Sequence, residues 1–136
     1  TGIYMIDIFT LFFDGCSKGN PGPSGAGAVI YKNDIEIFNE SKFIGSKETN
    51  NVAEYNGLII GLDNALKLDI SNLIVKGDSN LVINQMKGDY TVKSKNLLSL
   101  FNEAKNLENK FNNVEFLHIY RNENKRADEL ANFALN

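Results

Sequence analysis

Cysteine and histidine are almost absent from this chain, which has one residue of each among its 136 residues. The single cysteine, Cys16, cannot form a disulfide within the chain and fits a reducing compartment, so we expect a cytoplasmic location. A zinc site of clustered cysteine and histidine is excluded by the same scarcity. No apolar run reaches the length of a membrane span, and we therefore expect no membrane partner.

Positive charge is also scarce, because 14 Lys and Arg residues stand against 17 Asp and Glu residues, for a net charge of −3. This balance argues against a protein that holds phosphate backbones by bulk electrostatics. Any contact with nucleic acid must come from a local patch or from bound metal ions. Hydrophobic residues make up 43% of the chain, which predicts a folded core, and the length predicts a single domain over residues 1–136.

The most apolar stretch covers residues 6–15, with the sequence IDIFTLFFDG. Its apolar side chains occupy both odd and even positions, which is typical of a central strand covered on both faces. We interpret residues 3–13 as a strand and not a signal peptide, because they include Asp7 and have no basic start. Residues 15–27 are rich in Gly, Pro and Ser and predict a loop.

The apolar pattern of residues 26–135 predicts two more strands, followed by helices and strands. Strands are expected at residues 26–31, 35–44, 73–75 and 114–119, and helices at residues 51–67, 81–86, 94–108 and 123–135. This order predicts an α/β fold with a mixed five-stranded sheet, in which three antiparallel strands are followed by parallel βα units, with helices on both faces. Functional sites of such sheets lie at the carboxyl ends of the strands.

Four carboxylates are predicted to meet at that edge of the sheet. Asp14 and Asp78 end two strands, while Glu54 and Asp128 lie early in two helices. Singly, each has an ordinary explanation as a turn former, a helix cap or a first-turn acid. Together they repel one another unless a cation intervenes, and an all-carboxylate ligand set suits Mg²⁺ or Mn²⁺. Two such ions can hold the attacking and leaving oxygens of a phosphodiester displacement.

The segments that contain these acids resemble the four signature segments of type 1 ribonuclease H. They are residues 14–22 (DGCSKGNPG), 49–54 (TNNVAE), 77–79 (GDS) and 126–131 (RADELA). One segment alone would be a weak signal, but four in order are specific. The resemblance implies a ribonuclease H-like fold and an endonuclease that cuts the RNA strand of RNA/DNA hybrids. It implies two Mg²⁺ ions, for which Mn²⁺ would substitute, and products with 5′-phosphate ends.

The resemblance also implies roles for individual residues. Asp14 would bridge both ions, Asp128 would help hold the ion that activates water, and Glu54 and Asp78 would hold the second ion. Short polar groups suit the wide, shallow groove of a hybrid and its 2′-hydroxyls. The implied substrate contacts are Gly15, Ser17, Gly19, Asn20, Thr49, Asn50, Asn51, Asn80 and Arg121. Of these, Asn50 and Asn51 could also serve only as caps of the helix that follows.

Two features of some family members are expected to be missing. Residues 86–94 lead directly into the next helix, so the basic protrusion is absent, as in the short form of the family, and no hybrid-binding domain precedes the fold. We therefore expect modest affinity for hybrids, with steep salt dependence. The cationic side chains left for this contact, unless they form only a solvated surface, are Lys87, Lys93 and Lys95.

Some alternatives stay open. Arg121 matches an arginine of the short form but could simply pair with Glu123, and His118 is expected in a strand and not as a general base. A module that binds hybrids without cutting is a rival, against which the full set of acids argues. A reverse transcriptase domain, or a nuclease that also cuts double-stranded RNA, is another. We expect a monomer that acts on RNA/DNA hybrids with no obligatory protein partner.

Overall fold

Five strands and four helices lie along residues 6–136, the part of the chain that the computed structural model describes. The strands are β1 (Phe9–Ser17), β2 (Gly22–Lys32), β3 (Ile35–Glu48), β4 (Asn72–Gly77) and β5 (Asn113–His118). The helices are α1 (Asn50–Lys67), α2 (Asn80–Lys87), α3 (Lys95–Glu108) and α4 (Lys125–Phe133), the last preceded by a 3₁₀ turn at Arg121–Glu123. None of these helices is long and apolar enough to cross a membrane.

The strands form one mixed sheet in the order β3-β2-β1-β4-β5. The first three are antiparallel neighbours, whereas β4 runs parallel to β1 and β5 runs parallel to β4. The fold class predicted from the sequence is therefore confirmed. Asp14 pairs with Gly27 on β2, one residue beyond the last parallel pair, Phe13 with Gly77. The first acid thus lies where β4 ends and β1 continues.

Alternate residues of β1 enter two separate cores, because successive strand side chains point to opposite faces. Leu11 and Phe13 are fully buried in the larger core, which also contains residues of α1 and α3. Phe12 packs on the other face, in a smaller core with Ala127 and Leu130 of α4. Helices therefore cover both faces of the sheet, as predicted.

The first strand and the glycine-rich segment after it differ from the prediction. β1 begins at Phe9, and Ile6 and Ile8 before it are 85% and 53% exposed; residues 3–5 of the predicted strand lie outside the described residues. Most of the predicted loop at residues 15–27 is strand, and only residues 18–21 form a turn. The glycines of β2 mark close packing: a Cβ on Gly27 would lie 2.5 Å from the carbonyl oxygen of Ala127.

The last helix also begins later than predicted. Residues 121–123 form the 3₁₀ turn, and α4 starts at Lys125. The side chain of Glu123 accepts a hydrogen bond from the Tyr120 backbone N–H at 3.2 Å. The alternative in which Glu123 pairs with Arg121 is therefore wrong, since no ion pair of Arg121 occurs within residues 6–136.

Candidate active site

Three of the four predicted acids converge at the edge of the sheet where β4 ends. Asp14, Glu54 and Asp78 each direct a carboxylate oxygen to within 4.8 Å of the other two. Asp14 and Glu54 are buried, with 5% and 3% of their surface exposed. The Asp128 carboxyl approaches the same point from α4 and contacts that of Asp14. The geometry thus brings the four acids together, although their catalytic roles stay a prediction.

A glycine at the start of the signature segment lets α1 carry its acid this close. A Cβ added to Gly15 would lie 2.2 Å from the backbone nitrogen of Glu54, so any other residue here would force α1 away from β1. The helix is held at its start by Thr49, whose hydroxyl accepts from the Val52 N–H at 3.2 Å. Close backbone packing and a capped helix start together fix where Glu54 enters the site.

Burial and crowding raise the pKa of the two innermost acids. Burial is the main reason that the pKa of Asp14 rises to about 7, and the nearby Asp78 and Asp128 raise it further, while hydrogen bonds from Glu54 and Gly15 oppose the rise. The pKa of Glu54 is raised well above its usual value, first by burial and then by Asp14. Both acids therefore resist ionisation unless a positive charge joins them.

The part of the chain that the structure describes supplies no cation to this cluster. Within residues 6–136, the ion pairs all involve other acids, and the buried Oε2 atom of Glu54 has no hydrogen-bond partner. Carboxylate oxygens are the ligands that hard divalent cations such as Mg²⁺ prefer. An orphaned oxygen in an all-carboxylate set therefore fits a bound divalent cation.

Asn124 is a residue of the site that the sequence did not reveal. Its side chain is 1% exposed and donates to the Asp78 carboxylate at 3.0 Å and to the Phe13 carbonyl at 2.9 Å. It thereby links β1, β4 and the start of α4. The sequence signal was misleading, because an asparagine before a helix is typical of an N-cap, yet this side chain makes no cap hydrogen bond.

The turn after β1 is tied to the start of α1 by side-chain amides. Asn20 accepts from the Asn50 backbone N–H at 2.9 Å, and the Asn50 side chain accepts from the Ser17 N–H at 3.2 Å. The Ser17 hydroxyl donates to the Glu48 carbonyl at 2.7 Å. Gly19 occupies this exposed turn with a φ of +105°, a conformation that favours glycine. Residues predicted to contact substrate thus form one connected surface beside the acids.

The sequence model of a family described as reverse transcriptase-like matches residues 12–134. A ribonuclease H of Pseudomonas savastanoi pv. phaseolicola is 33% identical over 141 residues, covering 94% of this chain and 93% of the relative. The chain belongs to the ribonuclease H family. It is also 37% identical over 124 residues to ribonuclease HI of Halobacterium salinarum, covering 91% of the chain and 62% of that relative.

Other relatives are longer than the ribonuclease H fold. A bifunctional protein of Mycobacterium tuberculosis is 46% identical over 123 residues, which are 90% of this chain but 34% of the relative. The N-terminal ribonuclease H domain of that protein superposes with a TM-score of 0.92 at 42% identity, covering 96% of this chain and 94% of the domain. LC11-RNase H1, solved in complex with an RNA/DNA hybrid, gives a TM-score of 0.86 at 36% identity, with coverages of 93% and 95%.

The remaining predicted contacts of this ribonuclease H lie around the same edge of the sheet. Thr49 is the cap of α1, so the alternative that Asn50 and Asn51 only cap the helix is wrong for Asn50, which binds the Ser17 N–H. Asn51 makes no side-chain hydrogen bond to the residues described and is partly exposed. Its contact with substrate stays a prediction.

The second strand end carries a small polar network. Asn80 follows the Asp78 segment, is exposed, and donates to the Tyr90 hydroxyl at 3.2 Å. Asn84, one turn along α2, donates to the Asn80 side chain at 2.8 Å. These contacts fix the orientation of the Asn80 amide before any substrate arrives.

The ribonuclease H fold here is the short form, because residues 88–94 join α2 directly to α3 without a basic protrusion. The cations expected to contact substrate, Lys87, Lys93 and Lys95, are all exposed near this connection. Arg121 is exposed in the 3₁₀ turn before α4. The contact of these four residues with substrate stays a prediction.

Two further residues have packing explanations. His118 lies in β5 as predicted, with its Nε2 atom 3.2 Å from the Asp78 carbonyl and its ring edge-on to Tyr120. Cys16 lies in β1, where its thiol donates to the Asn132 side chain at 3.8 Å, and burial raises its pKa. A raised thiol pKa disfavours the reactive thiolate.

Proposed function

We propose that this ribonuclease H hydrolyses the RNA strand of RNA/DNA hybrids as an endonuclease, with two Mg²⁺ ions. The observation that carries the proposal is the buried carboxylate cluster with an orphaned Glu54 oxygen and no cation supplied by the described chain. The identity to LC11-RNase H1, solved with a hybrid, supports the choice of substrate. Mn²⁺, which also takes carboxylate ligands, is expected to substitute.

In this proposal Asp14, Glu54, Asp78 and Asp128 hold the two ions. When bound, the ions supply an activated water nucleophile and stabilise the departing 3′ oxygen. The chain contributes the geometry: Gly15 allows Glu54 to approach β1, and Asn124 holds one oxygen of Asp78. The raised pKa values of Asp14 and Glu54 keep the empty site from accumulating its full negative charge.

The substrate surface is proposed to be the connected turn and helix start beside the acids. Asn20, Asn50 and Ser17 hold one another in place, so the exposed backbone and amides meet the groove with little loss of conformational freedom. Direct contacts to 2′-hydroxyls would distinguish the RNA strand from the DNA strand. Few cations of the described residues lie nearby, so the affinity for hybrids is expected to be modest.

The test is cleavage of an end-labelled RNA/DNA hybrid against matched RNA duplex, DNA duplex and single-stranded RNA, with Mg²⁺, Mn²⁺ or EDTA. We expect cleavage of only the RNA strand of the hybrid, only with metal, leaving 5′-phosphate ends. The variant Asp78→Asn should lose this activity. Its matched control is Asp69→Asn, which changes an acid after α1, away from the carboxyl ends of the strands.

Other outcomes would replace the proposal. Hybrid binding that is equal in EDTA and in Mg²⁺, without turnover, would show a binding module. Cleavage of double-stranded RNA at a comparable rate would show a broader nuclease. We further propose one catalytic domain that acts as a monomer, which sedimentation of the protein with and without hybrid would test. A cytoplasmic location rests on the single cysteine and stays a prediction.

A further inference from the structure

A cavity of about 410 Å³ lies on the α4 side of the sheet and contains none of the four acids. Its floor consists of Thr10 and Phe12 of β1, Tyr31 of β2 and Lys76 of β4. Its walls are Asn33 and Asp34 of the β2–β3 turn and residues 122–126 before and within α4. The helix covers β1, β2 and β3 on this face but leaves the cavity open beside it.

The cavity lies directly behind the acid cluster. Phe12 and Asp14 are two residues apart on β1 and point to the same face of the sheet, so their Cα atoms are about 7 Å apart. Asn124 connects the cavity to the acid cluster, because it lines the cavity and also donates to the Asp78 carboxylate. Its buried Oδ1 atom has no hydrogen-bond partner within the described residues. Whatever fills the cavity therefore rests against a residue that holds a catalytic acid.

The floor of the cavity combines two aromatic rings with a cation. The rings of Phe12 and Tyr31 meet edge to face at 5.6 Å, and the Lys76 ammonium lies 5.6 Å from the centre of the Phe12 ring. Lys76 is partly buried, yet it forms no ion pair with any residue from 6 to 136, and neither does Lys125 on the wall. An ammonium group beside aromatic rings, with a second unpaired ammonium on the wall, suits a ligand that combines a planar ring with a separate anionic group.

The polar groups of the wall narrow the ligand further. Arg126 is already engaged by Glu36 and Glu129, so Lys76 and Lys125 are the cations of the cavity lining that have no ion pair within residues 6–136. Asp34 and Glu123 also line the cavity, and their carboxylates can accept hydrogen bonds from sugar hydroxyls or from an amino group on a base. Aromatic stacking, one anionic group and hydroxyl donors together describe a nucleotide.

We propose that this cavity binds a nucleoside monophosphate, with the base against Phe12 and Tyr31 and the phosphate between Lys76 and Lys125. The same chemistry is offered by a free nucleotide and by the terminal nucleotide of a single strand. The bound nucleotide packs against Asn124 and thereby alters how firmly Asp78 is held. This last effect, a change in cleavage rate, rests on the proposed function, whereas binding itself does not.

Calorimetric titration of the full chain with adenosine monophosphate in EDTA tests the binding, because without metal the acid cluster repels phosphate. We expect saturable binding that Lys76→Gln weakens about tenfold, the effect of losing about 1.4 kcal/mol. The matched control Lys110→Gln, at an exposed lysine after α3, should bind as the wild type does. Phe12→Leu should weaken binding while keeping an apolar side chain at that position.

Three results would overturn the site. They are no saturable binding, equal binding by Lys76→Gln and the wild type, and binding of inorganic phosphate as tight as that of the nucleotide. Titration with a single-stranded hexanucleotide distinguishes a free nucleotide from the terminal nucleotide of a strand, because the natural ligand should bind more tightly. Either result supports the site, provided that Lys76→Gln weakens the binding of the tighter ligand. Lys76→Gln should also keep the unliganded cleavage rate and lose the effect of added nucleotide on it.

Discussion

Helix α4 contributes one side chain to each of two charged regions, Arg126 to the first and Asp128 to the second, and the regions are built in opposite ways. Arg126 donates to Glu36 at 2.9 Å and also pairs with Glu129, and all three side chains are partly exposed. Asp128, two residues further on, contacts the buried Asp14 and meets no cation of the described chain. The nearby Arg126 thus pairs with Glu36 and Glu129 and does not neutralise the acid cluster.

The same contrast appears in the pKa values. The Arg126 guanidinium holds the pKa of Glu36 below its usual value, whereas burial raises the pKa of Asp14 to about 7. Pairing on the surface favours the charged form of an acid, and burial without a partner favours the neutral form. The acid cluster therefore requires a cation from solution to ionise fully. The following substitutions test this difference between the acid cluster and the paired region of Glu36, Arg126 and Glu129.

The largest effect is expected on cleavage. Asp14→Asn removes the acid that contacts both Glu54 and Asp128, so kcat on an RNA/DNA hybrid should fall at least about a thousandfold. Glu36→Gln, in the paired region of the same face, should leave kcat unchanged. Single-turnover cleavage with saturating Mg²⁺ measures both, and circular dichroism checks that both fold. Equal losses in the two variants would erase the distinction between the regions.

The next effect concerns the side chain that holds Asp78. Asn124→Ala removes one buried and one partly buried hydrogen bond and should lower the free energy of unfolding by about 1–3 kcal/mol. The cleavage rate at limiting Mg²⁺ should fall more than the rate at saturating Mg²⁺, because a loosened Asp78 binds metal less well. A Mg²⁺ titration measures the shift. A midpoint that matches that of the wild type would make Asn124 purely structural.

A smaller effect of opposite sign is expected for stability without metal. Glu54→Gln removes a buried acid whose pKa is raised. In EDTA at pH 8, the free energy of unfolding of the variant should therefore exceed that of the wild type by about 1 kcal/mol. An acid whose pKa is higher in the folded state than in the unfolded state stabilises the protein at low pH, and this stabilisation is lost as the pH rises. For Asp14 this loss runs from about its ordinary 3.8 to about 7.

The advantage of Glu54→Gln should therefore vanish as the pH falls below about 4, where the acids are protonated in both states. Added Mg²⁺ should reverse the sign by stabilising the wild type alone. Urea unfolding at several pH values, with EDTA or Mg²⁺, measures these differences. A variant that is less stable than the wild type in EDTA would show that Glu54 is a structural residue.

The smallest effect belongs to the paired region. Arg126→Ala should cost about 0.2–1 kcal/mol of unfolding free energy, since the pairs are partly exposed and solvent screens them. The difference should shrink further in concentrated salt. Thermal unfolding at low and high ionic strength measures it. A cost well above this range would mean that Arg126 also positions Asp128.

The sequence was most informative where local pattern and chemistry agree. The apolar spacing of α1, the buried strand β4 and the four acids were all predicted, because each carries its own periodicity or charge. The glycines of β2 were misread, since a glycine needed for close helix packing looks like a glycine needed for a turn. Asn124 was missed because its partner Phe13 lies 111 residues away. The cavity behind it exists only where strands and α4 meet.

The acid centre joins the two extremes of the described chain. Asp14 belongs to the first strand, whereas Asn124 and Asp128 belong to the segment that enters α4. A chain emerging from the ribosome exposes its amino-terminal part first, so the hairpin of β1 and β2 is available long before its last acid. A chain cut short before residue 124 would contain all five strands but would lack Asn124 and Asp128, so the proposed activity requires residues from both ends of the described chain.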